Sequence, residues 1–204
     1  MIELPRLYAI VDRSCFSRPE ELLSTARELS AAGLRLLQYR DKSGSAREIL
    51  ELALALRRAL GTSLRLIMND RADLARAADF GGVHLGQEDL SVEGARKVTG
   101  ASLWLGVSTH RPEQVEAANQ TSADYLAIGP VFATASKARP DPVVGLEGIR
   151  RVRPLTRKPL VAIGGITRQN CRSVLAAGAD AVAVISDLLP EPRKSAEEFL
   201  RILE

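Results

Sequence analysis

The chain has 204 residues, enough for one large or two small domains and for a sizeable hydrophobic core. Its composition, 46% hydrophobic and 26% charged, is that of an ordinary globular protein, and the N-terminus, MIELPRLYAIVD, lacks a signal-peptide pattern. No apolar run approaches the roughly 20 residues that span a bilayer, and a net charge of +3 without a basic, aromatic-interleaved stripe argues against nucleic acid, so we expect a cytoplasmic protein that binds small molecules.

Apolar, strand-like runs alternate with amphipathic segments along the whole chain. The eight predicted strands cover residues 7–12, 34–40, 64–70, 81–86, 102–109, 124–131, 159–165 and 181–186. The segments between them, such as PEELLSTARELSAAG and NCRSVLAAGA, carry apolar residues at i, i+3, i+4 and i+7, which is typical of helices. Glycines stand where helices should end, at Gly33, Gly61, Gly100 and Gly178.

Serines stand where three of the helices could begin. Ser45, Ser91 and Ser195 each precede or open a helical pattern. Ser45 and Ser195 are followed three residues later by Glu48 and Glu198, which is the spacing of a capping box. We therefore predict helix N-termini at these serines.

Eight strands, each followed by a helix, indicate a (β/α)8 TIM barrel that forms a single compact domain over residues 1–204. The strands are near-continuous apolar runs, as a parallel sheet covered on both faces requires. A doubly wound open sheet is the alternative, but it seldom needs eight regular units of this size. Barrel enzymes place their active sites at the carboxyl ends of the strands, so the polar side chains at those ends are the candidates for function.

The second predicted strand ends in three polar side chains that alternate onto one face, Gln38, Arg40 and Lys42. This face either meets water, with ion pairs to Asp41 or Asp70, or it binds an anion. A guanidinium and an ammonium together suit a phosphate or a pyrophosphate.

Two carboxylates end the neighbouring third and fourth strands. Asp70 and Asp89 could each cap the helix that follows. Beside the cations, they also match the way proteins hold Mg²⁺, with one or two carboxylates plus substrate phosphates and water. The pair therefore indicates either two helix caps or a magnesium-assisted pyrophosphate site.

A second anion site is indicated at the ends of the last two strands. In AIGGITRQN (162–170), glycines let backbone N–H groups approach a phosphate, and the next helix offers its N-terminus. Strand eight ends in ISDLL, which could begin the short extra helix of barrel phosphate sites. The loop from Phe132 to Gly145, with Thr134, Ser136 and Lys137 at its base, is long enough to be a functional cover.

The histidines and cysteines give weaker indications. His84 alternates with apolar neighbours and is interpreted as an interior histidine with satisfied hydrogen bonds, whereas His110 is either a loop residue or an acid–base candidate. Cys15 and Cys171 match no metal or disulfide framework. Two anion sites without an obvious nucleophile or general base indicate a reaction that joins two phosphorylated molecules by displacing pyrophosphate.

The strand-end motifs resemble, in order and over essentially the whole chain, those of the thiamine-phosphate synthase family, which joins the pyrimidine and thiazole halves of thiamine. The matching motifs are QYRDK, MNDRADLA, GGVHLGQEDL, GVSTH, IGPVFATASK, VVGLEGI, PLVAIGGIT and AGADAVAVIS. Tyr39 stands where the family more often has Leu, and it points away from the face that carries Gln38, Arg40 and Lys42.

The resemblance implies a set of site residues by position. The pyrimidine diphosphate would bind at Gln38, Tyr39, Arg40, Asp41, Lys42, Asn69, Ser108 and Lys137. The thiazole phosphate would bind at Thr134, Ala135, Ser136, Gly165, Ile185 and Ser186. The implied cofactor is Mg²⁺, bound by Asp70 and Asp89, and the implied catalytic residues are Arg40, Lys42, Ser108 and Lys137.

The mechanism that the resemblance implies is dissociative. Pyrophosphate leaves the CH₂ group of the pyrimidine to give a delocalised cation, which the thiazole nitrogen attacks. The alternatives are a thiazole tautomerase of the same superfamily and a non-catalytic phosphate-binding barrel. Relatives of the tautomerase type tend to lose the pyrophosphate and metal residues, and the presence of these residues here favours the synthase.

Overall fold

Eight parallel strands close into a barrel. A computed structural model describes residues 2–134 and 141–204. The strands are β1 (Leu7–Asp12), β2 (Leu36–Arg40), β3 (Arg65–Asn69), β4 (Gly82–Leu85), β5 (Trp104–Thr109), β6 (Tyr125–Ile128), β7 (Leu160–Ile163) and β8 (Ala181–Val184). Each strand pairs with the next and β8 pairs with β1, so the predicted (β/α)8 barrel is confirmed.

Helices follow the strands and surround the barrel. They are α1 (Pro19–Ala31), α2 (Ala46–Leu60), α3 (Ala72–Ala77), α4 (Val92–Thr99), α5 (Pro112–Asn119), α6 (Gly145–Val152), α7 (Cys171–Ala176) and α8 (Pro192–Leu203). Short 3₁₀ helices cover Arg13–Cys15, Arg153–Leu155 and Ser186–Leu188. Among the described residues, none of the helices combines the length and apolar character needed to cross a membrane.

Alternate residues of the strands face the helices or the barrel interior. In β1, Leu7 and Val11 belong to the large hydrophobic cluster that includes the helices. Tyr8 and Ile10 belong to a smaller cluster inside the barrel. Because both faces are buried, the strand sequence is apolar throughout rather than alternating.

A glycine makes room for an aromatic ring inside the barrel. Tyr125 of β6 is fully buried, and a Cβ atom placed at Gly106 of β5 would lie 2.1 Å from a carbon of its ring. The Tyr125 hydroxyl lies 3.0 Å from the hydroxyl of Tyr8. The absence of a side chain at position 106 is therefore a condition for this pair of tyrosines in the interior.

All eight predicted strands are confirmed, although several are shorter than predicted. The predicted run 159–165 forms a strand only over Leu160–Ile163. Gly164 and Gly165, which follow it, have φ angles of 102° and 63°. A backbone with positive φ does not continue a β-strand, so the chain turns there.

Two of the three predicted helix caps are confirmed. The Ser45 side chain accepts a hydrogen bond from the Glu48 N–H in a capping box, and the Ser91 side chain accepts one from the Gly94 N–H. The prediction for Ser195 is wrong, because α8 already begins at Pro192. Proline is favoured in the first turn, where its missing N–H leaves no bond unmade.

Ser195 instead lies buried within α8. Ser195 is 1% exposed. In the part of the chain that the structure describes, the Ser195 hydroxyl has no hydrogen-bond partner. A buried hydroxyl of this kind lowers stability, because it has exchanged water for an apolar environment.

Loss of the hydroxyl should therefore have different effects at the two serines. We expect Ser45→Ala to lower the free energy of unfolding by about 1 kcal/mol, because the cap bond is lost. We expect Ser195→Ala to leave it unchanged or to raise it by up to about 1 kcal/mol. Urea denaturation measures both, with the exposed Ser102→Ala as control. Equal losses in the two variants would contradict this assignment.

Candidate active site

A cavity of about 220 Å³ opens at the carboxyl ends of the strands. Eleven of the predicted site residues line it: Gln38, Arg40, Lys42, Asn69, Asp70, Asp89, Ser108, Thr134, Gly165, Ile185 and Ser186. These residues are far apart in sequence, and they meet because parallel strands of a closed barrel end at one rim.

Of the other five predicted site residues, the structure describes two, Tyr39 and Asp41, and these do not line the cavity. Tyr39 is fully buried among the residues that pack against the helices, and its hydroxyl donates to Asp41 at 3.2 Å. The Asp41 carboxylate accepts hydrogen bonds from the backbone N–H groups of Ser43 and Gly44, each at 2.9 Å, and so shapes the turn after β2. These two side chains therefore do not face a ligand in the cavity. The remaining three, Ala135, Ser136 and Lys137, lie outside the described residues.

Arg40 is held by an acidic residue that sequence reasoning missed. Asp12 ends β1, stands in register with Arg40, and forms an ion pair with its guanidinium. Asp12 is 3% exposed, and its second oxygen accepts hydrogen bonds from the N–H and the hydroxyl of Ser14 at 3.0 and 2.7 Å. The available signal was an acidic residue at the end of an otherwise apolar strand.

Asp70 lies between a cation and a second carboxylate. It forms an ion pair with the Lys42 ammonium and a hydrogen bond with Asp89. Burial, and then the neighbouring Asp89, raise the pKa of Asp70 to about 6 despite the opposing effect of Lys42. Its φ angle of 61° is unfavourable for a residue with a side chain, and such strain is typical of functional sites.

Asp89 is positioned by the turn that follows β4. Its Oδ2 atom accepts a hydrogen bond from the Gly86 N–H at 2.8 Å. Burial favours the protonated form, but the hydrogen bonds from Asp70 and Gly86 outweigh it and lower the pKa of Asp89 below its usual range. Two adjacent carboxylates with pKa values moved apart titrate as a pair.

These groups fit a magnesium ion. Over residues 2–134 and 141–204, the structure contains no cluster of three or more His, Cys, Asp and Glu side chains that could hold a metal by themselves. Mg²⁺ does not need such a cluster, because it is commonly bound by one or two carboxylates together with substrate phosphates and water. The Asn69 amide nitrogen, also at the cavity, is buried and without a partner in the described residues, so a donor is available for a substrate oxygen.

The rim after β7 and β8 has a different chemistry. A Cβ atom at Gly165 would lie 2.5 Å from the Ala133 carbonyl oxygen, so only glycine fits where the loop after β7 passes the loop after β6. The Arg168 backbone and side-chain Nε donate to Asp187 at 2.9 and 3.1 Å, and its Nη1 donates to Glu198 at 2.6 Å. Arg168 thereby ties the loop that contains Gly165 to the 3₁₀ helix that begins at Ser186.

The two histidines differ in their surroundings. His84 is buried, with ring nitrogens 3.1 Å from the Tyr125 hydroxyl and 2.9 Å from the Ser108 hydroxyl, which confirms the predicted interior histidine. Burial lowers its pKa to about 4. His110 donates from Nδ1 to the Gly129 carbonyl at 2.6 Å, and its Nε2 lies 3.5 Å from Asp141. Its role as an acid–base group stays a prediction.

Comparisons with known proteins agree on one family. A family model described as thiamine monophosphate synthase matches residues 7–188. A thiamine-phosphate synthase from Koribacter versatilis is 63% identical over 206 residues, 99% of this chain and 97% of that protein. One from Agrobacterium fabrum is 43% identical over 188 residues, 89% and 84% of the two chains. The solved thiamine phosphate pyrophosphorylase from Pyrococcus furiosus aligns with a TM-score of 0.83 at 36% identity, covering 97% of this chain and 95% of that one.

The two cations of β2 and its loop should contribute differently to stability. Arg40→Ala should lower the free energy of unfolding by about 2 kcal/mol or more, because the buried Asp12 side chain would lose its ion-pair partner. Lys42→Ala should change it by less than about 1 kcal/mol, because the Lys42 side chain is 52% exposed. Guanidinium denaturation measures both losses. The double variant Asp12→Ala/Arg40→Ala should recover part of the loss, and no recovery would contradict the role given to Asp12.

Proposed function

The chain belongs to the thiamine monophosphate synthase family and is a transferase of that type, and we propose that its cavity joins a pyrimidine diphosphate to a thiazole phosphate. The products are thiamine phosphate and pyrophosphate. The proposal rests on one observation, that groups of two kinds line a single cavity. The first kind is the cations Arg40 and Lys42 with the carboxylates Asp70 and Asp89. The second kind is the loop of Gly165, which Arg168 connects to the 3₁₀ helix Ser186–Leu188. This arrangement offers two different sites for phosphate groups in one space.

The diphosphate is assigned to the cations. Arg40 offers a planar guanidinium whose orientation is fixed by Asp12, and Lys42 offers a mobile point charge. The buried amide nitrogen of Asn69 and the hydroxyl of Ser108 are the neutral donors. Lys137, which lies outside the described residues, is proposed as a further cation on the strength of the family resemblance.

Asp70 and Asp89 would hold the metal. When bound, Mg²⁺ would neutralise charge on the leaving diphosphate. The raised pKa of Asp70 supports this assignment, because it reflects first the burial of the carboxyl group and then the neighbouring Asp89, which Lys42 does not fully offset. Lys42 supplies part of the counter-charge.

The thiazole phosphate is assigned to Thr134, Gly165, Ile185 and Ser186. The glycine leaves the backbone open to an anion, and Arg168 keeps the two loops at a fixed separation. Binding there would hold the thiazole beside the pyrimidine. The two reactants would then react within one complex instead of having to meet in solution.

The chemistry then needs no nucleophile from the protein. The bond between the methylene carbon and the diphosphate oxygen breaks, and both electrons stay with the oxygen. The thiazole nitrogen supplies the electron pair for the new C–N bond. Arg40 and Lys42 would stabilise the negative charge that develops on the leaving group.

The cytoplasmic location and the tautomerase alternative stay predictions, and incubation with each substrate alone addresses the second of them. Conversion of the thiazole without pyrophosphate release would identify a tautomerase. Binding of phosphate without any turnover would identify a non-catalytic barrel.

The carboxylate pair provides the main test. With both substrates and Mg²⁺, the purified protein should release pyrophosphate and form thiamine phosphate, and Asp89→Ala should reduce this rate at least about hundredfold, because the charge of the leaving group would lose its metal. The neighbouring, exposed Glu88→Ala is the control. Full Mg²⁺-dependent activity of the Asp89 variant would refute the metal assignment.

Gly165 provides a second test, because its substitution should affect the binding of one substrate and not of the other. Gly165→Ala should raise the KM for the thiazole phosphate about tenfold or more and change the KM for the pyrimidine diphosphate much less, because its Cβ would push the loop after β7 away from Ala133, next to Thr134 of the proposed thiazole-phosphate site. Gly61→Ala is the matched control, since its φ of 61° is close to the 63° of Gly165 but no atom lies within 4 Å of its added Cβ. An equal rise of both KM values would contradict the assignment.

A further inference from the structure

Five polar side chains from five strands form an unbroken hydrogen-bonded chain across the barrel interior. The Gln38 amide nitrogen donates to the Tyr8 hydroxyl at 2.7 Å, and the Tyr8 and Tyr125 hydroxyls lie 3.0 Å apart. Tyr125 lies 3.1 Å from His84 Nδ1, and His84 Nε2 lies 2.9 Å from the Ser108 hydroxyl. The two ends of this hydrogen-bonded chain, Gln38 and Ser108, line the cavity.

The number of hydrogens on each group decides which group donates in each hydrogen bond of this chain. Among the described residues, the Tyr8 hydroxyl contacts the Gln38 amide nitrogen, which can only donate, and the Tyr125 hydroxyl, so Tyr125 is the acceptor available for the single hydrogen of Tyr8. By the same argument, the Tyr125 hydrogen goes to His84 Nδ1. His84 therefore carries its own hydrogen on Nε2 and donates it to the Ser108 oxygen.

This direction leaves the Ser108 hydrogen free to point elsewhere. In the ranges 2–134 and 141–204, the Ser108 hydroxyl has His84 as its hydrogen-bond contact, and the Ser108 carbonyl accepts from the Gln87 amide at 2.6 Å. We propose that His84 is a positioning residue that, by donating to Ser108, aims the Ser108 hydrogen at an anionic oxygen of the substrate in the cavity. The identity of that substrate as the pyrimidine diphosphate rests on the proposed function.

The side chains that connect Gln38 to Ser108 are uncharged, which suits the orientation of the Ser108 hydrogen. Burial lowers the pKa of His84 to about 4 and raises the pKa values of Tyr8 and Tyr125, so all three side chains are neutral at pH 7. A charged imidazolium beneath the cavity would repel a cation that forms on the substrate. The chain thus supplies an oriented donor without adding a charge.

The direction depends on the Gln38 amide, whose nitrogen faces Tyr8. The reverse orientation of that amide would reverse every donor and place the imidazole hydrogen on Nδ1. The tautomer of His84 therefore distinguishes the two arrangements without any measurement of activity.

The first experiment is ¹⁵N NMR of the histidine side chains in the whole protein. The sequence has only two histidines, so a His110→Asn variant assigns both. At pH 7.5 we expect His84 as the neutral Nε2–H tautomer, whereas the contact of His110 Nδ1 with the Gly129 carbonyl keeps a hydrogen on Nδ1 in that residue. An Nδ1–H tautomer or an imidazolium at His84 would overturn the proposal, whatever reaction the protein catalyses.

The second experiment is a kinetic cycle. Ser108→Ala should lower kcat/KM for the pyrimidine diphosphate by about tenfold to hundredfold, the range for a lost hydrogen bond to a charged group. Tyr125→Phe should cost about tenfold in the native background but less than about twofold in the Ser108→Ala background, because it acts through Ser108. The KM for the thiazole phosphate should stay within about twofold in both variants. Additive losses would show a merely structural role and would overturn the proposal.

Two variants of His84 separate its two nitrogens. His84→Gln can keep an amide donor near the position of Nε2, whereas His84→Asn keeps an acceptor near Nδ1 but no donor that reaches Ser108. We expect His84→Gln to retain at least about five times more kcat/KM than His84→Asn, in line with one retained hydrogen bond. Equal activity of the two variants, or a more active His84→Asn, would contradict the donor role.

Discussion

The pairing of β8 with β1 is the constraint on which the rest of the molecule depends. It holds the carboxyl ends of all eight strands on one rim, so that residues as distant in sequence as Arg40 and Ser186 line the same cavity. The parallel register also decides which residues are neighbours, and it sets Asp12 beside Arg40 and Asn69 beside His84. Much of the site is thus fixed by strand pairing rather than by loop conformation, which favours a rigid site.

Carboxylates of the protein balance the positive charges of Arg40 and Lys42. Arg40 pairs with a buried carboxylate that has further hydrogen bonds, whereas Lys42 pairs with Asp70, which itself adjoins Asp89. The first pair is buried on its acidic side, whereas the Lys42 side chain of the second pair is 52% exposed. A metal ion at the two carboxylates would take over the role of Lys42 as counter-charge and leave its ammonium for the substrate.

The sequence was sufficient for the strand count, the barrel and eleven of the residues that line the cavity, because apolar runs are local signals and the strand ends follow from topology. It was insufficient where partners are set across the barrel. Asp12 and the two interior tyrosines belong to apparently apolar strands, and only the register and the closure show what they contact. Tyr39 and Asp41 belong to the same motif as Arg40, but adjacency in sequence does not give a shared face.

Gly106 and Tyr125 have a consequence for how the chain can change during evolution. Because a methyl group at position 106 would occupy the space of the ring at position 125, position 106 cannot accept a side chain while that ring is present. A larger residue in β5 becomes acceptable only after the aromatic ring in β6 is lost, and that loss would also break the hydrogen-bonded connection to His84. The two positions should therefore covary among relatives, and glycine together with tyrosine should mark those in which the polar interior is intact.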